Sequence, residues 1–241
     1  MAAHQTFRIS GIRLLAPALG AVVILAVTAL GIWHDKAQFE LGYAYYSGNF
    51  HGWTVGFAQN HTKAAQWLQK AAERGHPRAQ HTLGILYAHG WGVTKNEAQS
   101  VQWFTLAAQR GYGPSMYHLG WMYHKGDGVP QNYTRSMRLM RDAAEQGMAA
   151  AHYALGSFFE HGNGVAPDPV VALKWYTLAA YFSNNLPKPF DNAAVAIRAT
   201  AAHDGLIARM NPPQVAQGQR LVGEWLTARK PGLGLHVKSG Q

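Results

Sequence analysis

Residues 115–147 read SMYHLGWMYHKGDGVPQNYTRSMRLMRDAAEQG, and the same pattern recurs before and after them. The pairs Leu83-Gly84, Leu119-Gly120 and Leu155-Gly156 stand a constant 36 residues apart, with Tyr87, Tyr123 and Phe159 one helical turn further on. Self-similarity at such a period marks stacked supersecondary units, none of which buries its apolar face alone. Leu and aromatic share one face of a first helix, and the glycine between them lets a second helix come close.

The ends of the helices are written into the same columns. Gly90/Gly92, Gly126/Gly128 and Gly162/Gly164 follow the first helix, where glycine supplies the left-handed conformation of a helix C-cap and turn. Asn60, Asn96, Asn132 and Asp168 then form one column of residues suited to accept from the free N–H groups of a helix start, and Pro169 takes the first helical position. This capping role also explains Asn60-His61-Thr62 and Asn132-Tyr133-Thr134, which otherwise fit the glycosylation sequon. Second helices carry Trp67, Trp103, Leu139 and Trp175 in one column and the pairs Ala71-Ala72, Ala107-Ala108, Ala143-Ala144 and Ala179-Ala180 in two more. Large groups fill the groove between helices and small ones set their distance. Gly75, Gly111 and Gly147 close each second helix before Ala79, Ser115 and Ala151 open the next unit.

These columns, Ala-x-x-x-Leu-Gly-x-x-Tyr-x-x-Gly-x-Gly-Val followed by the cap, the Trp and Ala-Ala-x-x-Gly, resemble the Sel1-like repeat, a relative of the tetratricopeptide repeat. The resemblance covers roughly Ala37 to Ala180 and implies an all-α, right-handed α/α solenoid of about four helix hairpins. Two departures stand out: Leu139 replaces the usual Trp, and Leu41-Gly42 lies 42 residues before Leu83-Gly84, which enlarges the first turn around His51-Gly52-Trp53.

Outside the repeats the character changes. Leu14 to His34 contains no Lys, Arg, Asp or Glu, follows Arg8 and Arg13, and includes Leu14, Val22, Leu25 and Trp33. Spanning a bilayer takes about 20 apolar residues, whereas a cleaved signal peptide has an apolar core of about 7–15. Length favours an uncleaved anchor, although Val27-Thr28-Ala29 also fits a small-residue cleavage site. Positive charge before the span keeps the amino terminus cytoplasmic and sends the repeats across, in a bacterium into the periplasm. The expected organisation is a cytoplasmic amino terminus at 1–13, a transmembrane signal-anchor helix at 14–34, repeats at 35–182, two C-terminal capping helices at 183–230 and a flexible tail at 231–241. The capping helices are expected from about Asp191 to Met210 and from Asn211-Pro212-Pro213 to about Arg229.

Chemistry has no candidate constellation. The 241 residues include no cysteine and 13 histidines, which scatter over different repeat columns and do not converge into the ligand spacings of a metal site. No serine nucleophile elbow, His-Glu-x-x-His helix, phosphate loop or dinucleotide fingerprint occurs, so catalytic residues, cofactors and metals are expected to be none. The net charge of +9 favours an anionic partner or membrane surface, with Arg135, Arg138 and Arg141 as the sharpest local patch, read as a solvated helix edge. No motif points to nucleic acid.

A binding role remains. By analogy with tetratricopeptide repeats, the first helices line a concave face, which here presents Phe39, Tyr43, Tyr46, His81, His89, Tyr117, Trp121, His124, Tyr153 and His161. Aromatic side chains offer large contact area for little lost rotamer entropy. Trp53 and Trp91, in turns, are further contact points. The expected function is a non-catalytic protein–protein interaction scaffold held in the inner membrane with its repeats in the periplasm, as an accessory subunit of a membrane complex. The alternative is a cleaved, freely exported periplasmic regulator or cell-wall-binding protein.

Overall fold

The structure is a computed structural model that describes residues 35–49, 58–185 and 193–229. The expected anchor with Leu14, Val22, Leu25 and Trp33, the enlarged turn around Trp53 and the carboxy-terminal tail lie outside the described residues. Among those described there are ten α-helices and no strand, and no helix is long and apolar enough to cross a membrane.

The chain divides into two compact units, residues 1–131 and 132–241. The first holds α1 (Asp35–Ser47), α2 (His61–Glu73), α3 (Pro77–His89), α4 (Glu97–Gln109) and α5 (Gly113–Lys125). The second holds α6 (Tyr133–Glu145), α7 (Ala149–His161), α8 (Pro169–Asn185), α9 (Ala193–Ile207) and α10 (Pro212–Ala228).

Each helix of the repeats begins and ends where the columns place it. The Asn60, Asn96 and Asn132 side chains accept from the backbone N–H of Lys63, Gln99 and Arg135 at 2.9–3.0 Å, and Asp168 accepts from Val170 and Val171. The same cap residues also act backwards. The backbone N–H groups of Asn60, Asn96 and Asp168 donate to the carbonyls of Tyr45, Tyr87 and Phe159 at 2.8–2.9 Å. The starts of α2, α4 and α8 are thereby pinned to the aromatic turn of the helix before each.

Within the hairpins, the glycines of three Leu-Gly pairs, Gly42, Gly84 and Gly156, each receive one large side chain. A methyl group added to Gly84 would lie 2.8 Å from the ring of Phe104, one on Gly42 2.8 Å from Leu68, and one on Gly156 2.6 Å from Tyr176. Those large residues are fully buried. In the turns, Gly90 caps α3 at φ +74°, and Gly92, at φ +69°, packs against the backbone of His61 and Thr62 so closely that no side chain fits. Gly128 meets Glu97 in the same way, so the second turn glycine of one hairpin seats on the second helix of the hairpin before it.

The core of the first unit gathers Phe39, Leu68, Leu83 and Leu86 with the alanines of α2 and α3. In the second unit α9 and α10 both pack on α8, through Leu206 against Leu173 and Tyr176, and through Gly218 against Leu173. Helix α10 opens with a capping box in which Asn211 accepts from Gln214 and the Gln214 side chain accepts from the Asn211 N–H. Its Trp225 packs edge-on to Phe182 and His152, under the guanidinium of Arg229. Helix α9 stops at Ile207, short of the expected Met210, because the Arg209 and Met210 N–H groups bond three residues back in a turn, and α10 runs between its caps Asn211 and Arg229.

Two glycine substitutions should act in opposite directions. Gly84→Ala forces a methyl against the Phe104 ring and should destabilise the chain by about 1–3 kcal/mol. Gly205→Ala, in α9 with open space around it, should stabilise by about 0.4–1 kcal/mol through a less flexible unfolded chain. Urea unfolding followed by circular dichroism reads both; an equal effect at the two positions would contradict the close approach at Gly84.

Candidate partner-binding site

Between the first helices of two consecutive repeats in the first unit, α3 and α5, runs a groove of about 720 Å³. Its floor is Ile85, Phe104 and Met122, and its walls carry His89, Tyr117, His118, Trp121 and Lys125. This volume falls within the range of small-molecule and peptide-side-chain pockets. Trp121 stands perpendicular to both Tyr117 and His124, with ring centres 6.3 and 5.4 Å away, and the Lys125 ammonium lies 6.0 Å from its ring. At the mouth Lys95 pairs with Glu97 at 2.7 Å.

His89, on the groove wall, also belongs to a second aromatic cluster. Trp91, 41% exposed, has the imidazoles of His89 and His61 stacked nearly parallel to it at 4.5 and 5.4 Å. Tyr46 lies 6.4 Å from Trp91, and Tyr43, 37% exposed, lies 5.8 Å from Tyr46. Tyr43, Tyr46, His89, Tyr117, Trp121 and His124 are therefore exposed or half-buried, and rings link the first three to one another through Trp91.

Three of the expected surface residues do other work. Phe39 is 1% exposed and belongs to the core, where His76 stacks on it at 4.4 Å and the Arg78 guanidinium lies 4.7 Å from its ring. His76 caps α3 through its Nδ1, which accepts from the Ala79 N–H, and so brings an aromatic ring over the first helix. His81 is turned into the packing between hairpins, hydrogen-bonded to Ser115 at 2.9 Å and in contact with Phe104, Tyr112 and His118. Tyr153, in the second unit, packs against Tyr176 at 5.5 Å and beside Leu206. Its neighbour His161 is exposed and bonds the Ser157 carbonyl. Glu160 on the same helix accepts from the Tyr176 hydroxyl at 2.6 Å and pairs with Arg209 at 2.7 Å, which burial of Tyr176 and the two contacts make a fixture of the fold.

Histidines meet more often than their columns suggest. His81 and His118 are 5.3 Å apart, and His118 stacks flat on Phe104. Burial lowers His81 to about 3, assisted by His118, and His118 to about 4, assisted by His89. His152, fully buried among Trp175, Phe182 and Trp225, is lowered to about 3 by burial, reinforced by Arg229 and Lys174 and opposed by its bond to the Met148 carbonyl. His124 is lowered by partial burial and then by Lys125. Three or more metal-ligating side chains do not gather at any point among the described residues. Arg135, Arg138 and Arg141 are all exposed on α6.

The Sel1 repeat pattern matches residues 35–76, 77–112, 113–148 and 149–181, more than half of the sequence. This chain belongs to the Sel1 repeat family. Sel1 repeats serve broadly as protein–protein interaction scaffolds. The crystal structure of a Sel1 repeat protein from Oxalobacter formigenes is 27% identical, with a TM-score of 0.57 over 81% of this chain and 86% of that one. The protective antigen c5321 of uropathogenic Escherichia coli, itself of the Sel1-like repeat fold, is 28% identical, with a TM-score of 0.60 over 91% of this chain and 46% of that one. Among curated proteins, HRD3A of Arabidopsis thaliana, a component of an ERAD-associated E3 ubiquitin-protein ligase, is 39% identical over 57 residues, 24% of this chain. The match spans 8% of HRD3A's length.

Burial of neutral imidazoles sets a pH dependence of stability. The unfolded chain takes up protons below about pH 6.5, whereas the folded histidines at 81, 118 and 152 refuse them until about pH 3–4. Stability should therefore be constant above about pH 6.5 and fall below it, by up to about 1.4 kcal/mol per pH unit for each of the three. His118→Phe, which keeps the ring on Phe104, should remove one histidine's share of that slope between pH 6 and 4.5; an unchanged slope would contradict the buried assignment.

Proposed function

We propose that this chain is a non-catalytic scaffold that holds a protein partner on the first-helix surface of its repeats, tethered to the inner membrane by residues 14–34 with the repeats in the periplasm. One observation carries the reading: Tyr117 and Trp121 of α5 face His89 of α3 across an open groove, beside the exposed ring cluster at Trp91. Exposed aromatic side chains over a concave apolar floor are the residue types that dominate interface energies. Family membership supports the scaffold role, and the repeats form a right-handed solenoid in this reading. The tether rests on the uncharged length of Leu14 to His34 behind Arg8 and Arg13. Its role as an accessory subunit of a membrane complex draws on HRD3A, which is a component of a larger ligase.

Replacing Tyr43, Trp121 and His124 together by Ala should abolish co-purification of the partner from detergent-solubilised membranes while leaving the helical circular dichroism intact. Retained co-purification would remove the proposed surface. Mass spectrometry of the native chain should give an amino terminus upstream of residue 14; one near residue 30 would replace the tethered scaffold by a freely exported protein.

A further inference from the structure

Two guanidinium groups of the first unit are surrounded by rings, a phenol and backbone, without a carboxylate. Arg78, in the first turn of α3, lies over the Phe39 ring at 4.7 Å, has the exposed Tyr43 ring 5.8 Å away and hydrogen-bonds the Tyr112 hydroxyl. Arg110, two residues before Tyr112, donates one N–H to the Leu106 carbonyl at 3.2 Å and rests on Gly75, where a methyl group would meet its Nη2 at 2.9 Å. Gly75 stands three residues before Arg78, so the turns of two consecutive repeats carry the two cations to one place. Both arginines are exposed. No ion pair joins either to an Asp or Glu among the described residues, and Glu73, the acid nearest this turn in sequence, accepts from Gln69 at 2.7 Å.

Helix α3 gains nothing from a cation at that position. Arg78 faces the positive end of the helix dipole, and no acidic residue stands in the same turn to offset it. A guanidinium carries five N–H donors and accepts nothing. One donor of Arg78 goes to Tyr112 and one of Arg110 to Leu106, which leaves most of both sets directed outward. Tyr112, raised by burial and therefore a neutral phenol, accepts from Arg78 and keeps its own O–H to donate. What complements this cluster is negative and accepts without donating. A carboxylate does both, and its planar pair of oxygens matches the guanidinium fork. A membrane surface fits less well, because anionic lipid is gripped by clusters of about 4–8 freely reaching Lys and Arg side chains. Here two are held down, one on rings and one on backbone. The excess of 21 Lys and Arg over 12 Asp and Glu draws a segment of that charge toward the chain.

We propose that Arg78 and Arg110 bind carboxylate side chains in an acidic segment of the partner protein, with the Tyr43 ring and the Tyr112 hydroxyl beside them. This rests on the scaffold reading above and names the chemistry of what the scaffold holds.

The test uses the full chain in detergent micelles, titrated calorimetrically with hexaglutamate blocked at both ends, with blocked hexaglutamine and with phosphatidylglycerol vesicles. Saturable binding of hexaglutamate alone is expected. Arg78→Gln with Arg110→Gln should weaken it at least about tenfold, whereas Arg135→Gln with Arg138→Gln, which removes the same charge from exposed α6 positions, should change it less than about twofold. Arg78→Lys, which keeps the charge and loses the fork, should fall between the two. If the first double variant loses its helical circular dichroism, Arg110→Gln alone carries the test, with an expected loss of about threefold. Absence of saturable hexaglutamate binding, equal losses in the two double variants, equal binding of hexaglutamine, or binding of the vesicles in place of the peptide would overturn the inference. A partner whose co-purification survives Arg78→Gln with Arg110→Gln but not replacement of Tyr43, Trp121 and His124 would also overturn it, and would leave the scaffold reading standing.

Discussion

The contact between a glycine on one helix and a large side chain on the next governs both units. Gly42 against Leu68, Gly84 against Phe104 and Gly156 against Tyr176 bring the two helices of a hairpin so close that a single methyl would collide. Alanines at 71, 72, 107, 143, 144 and 179, all buried, line the same seam. The backbone bonds from Asn60, Asn96 and Asp168 to the aromatic turns hold the register of that approach, so packing density and hydrogen bonding specify one geometry together. Because one stripe of the first helix is consumed by this seam, the opposite stripe is left for large residues that the fold does not need.

Function follows from what occupies that second stripe. In the first unit it holds Tyr43, His89, Tyr117 and Trp121, side chains whose apolar area far exceeds what a solvated helix face requires. The buried histidines belong to the other side of the account. His81, His118 and His152 fill interior positions as neutral aromatic rings, and burial holds their protons off. The same residue type therefore packs inside and stands at the surface, where His89 stacks on Trp91.

Much of this was legible in the amino-acid sequence because the repeat states each requirement several times. Caps at Asn60, Asn96, Asn132 and Asp168 and stops at Gly90, Gly126 and Gly162 depend on local backbone chemistry, which a column of one residue type reveals directly. The residues that fill the glycine notches were visible at the same period, one place beyond the tryptophan column at 68, 104 and 176. Side-chain direction was less accessible. Phe39 and His81 occupy first-helix positions of the expected binding face, yet His76 and Arg78 cover the one and Ser115 and His118 draw in the other, through contacts made between elements. The stacking of His61 and His89 on Trp91 joins residues from three segments, and no single repeat contains it. Trp225 in its box of His152, Trp175 and Phe182 is likewise a feature of the last helices, where periodicity no longer helps.

Site-specific photo-crosslinking tests the central claim most directly, that packing on one stripe of the first helices leaves the other to hold a partner. A benzophenone side chain placed at His89 or Tyr117, in the groove, and at Gln102, exposed on the second helix α4, samples the two surfaces of the same hairpins in native membranes. The account predicts a discrete adduct from positions 89 and 117 and none from 102. An adduct confined to position 102 would contradict it.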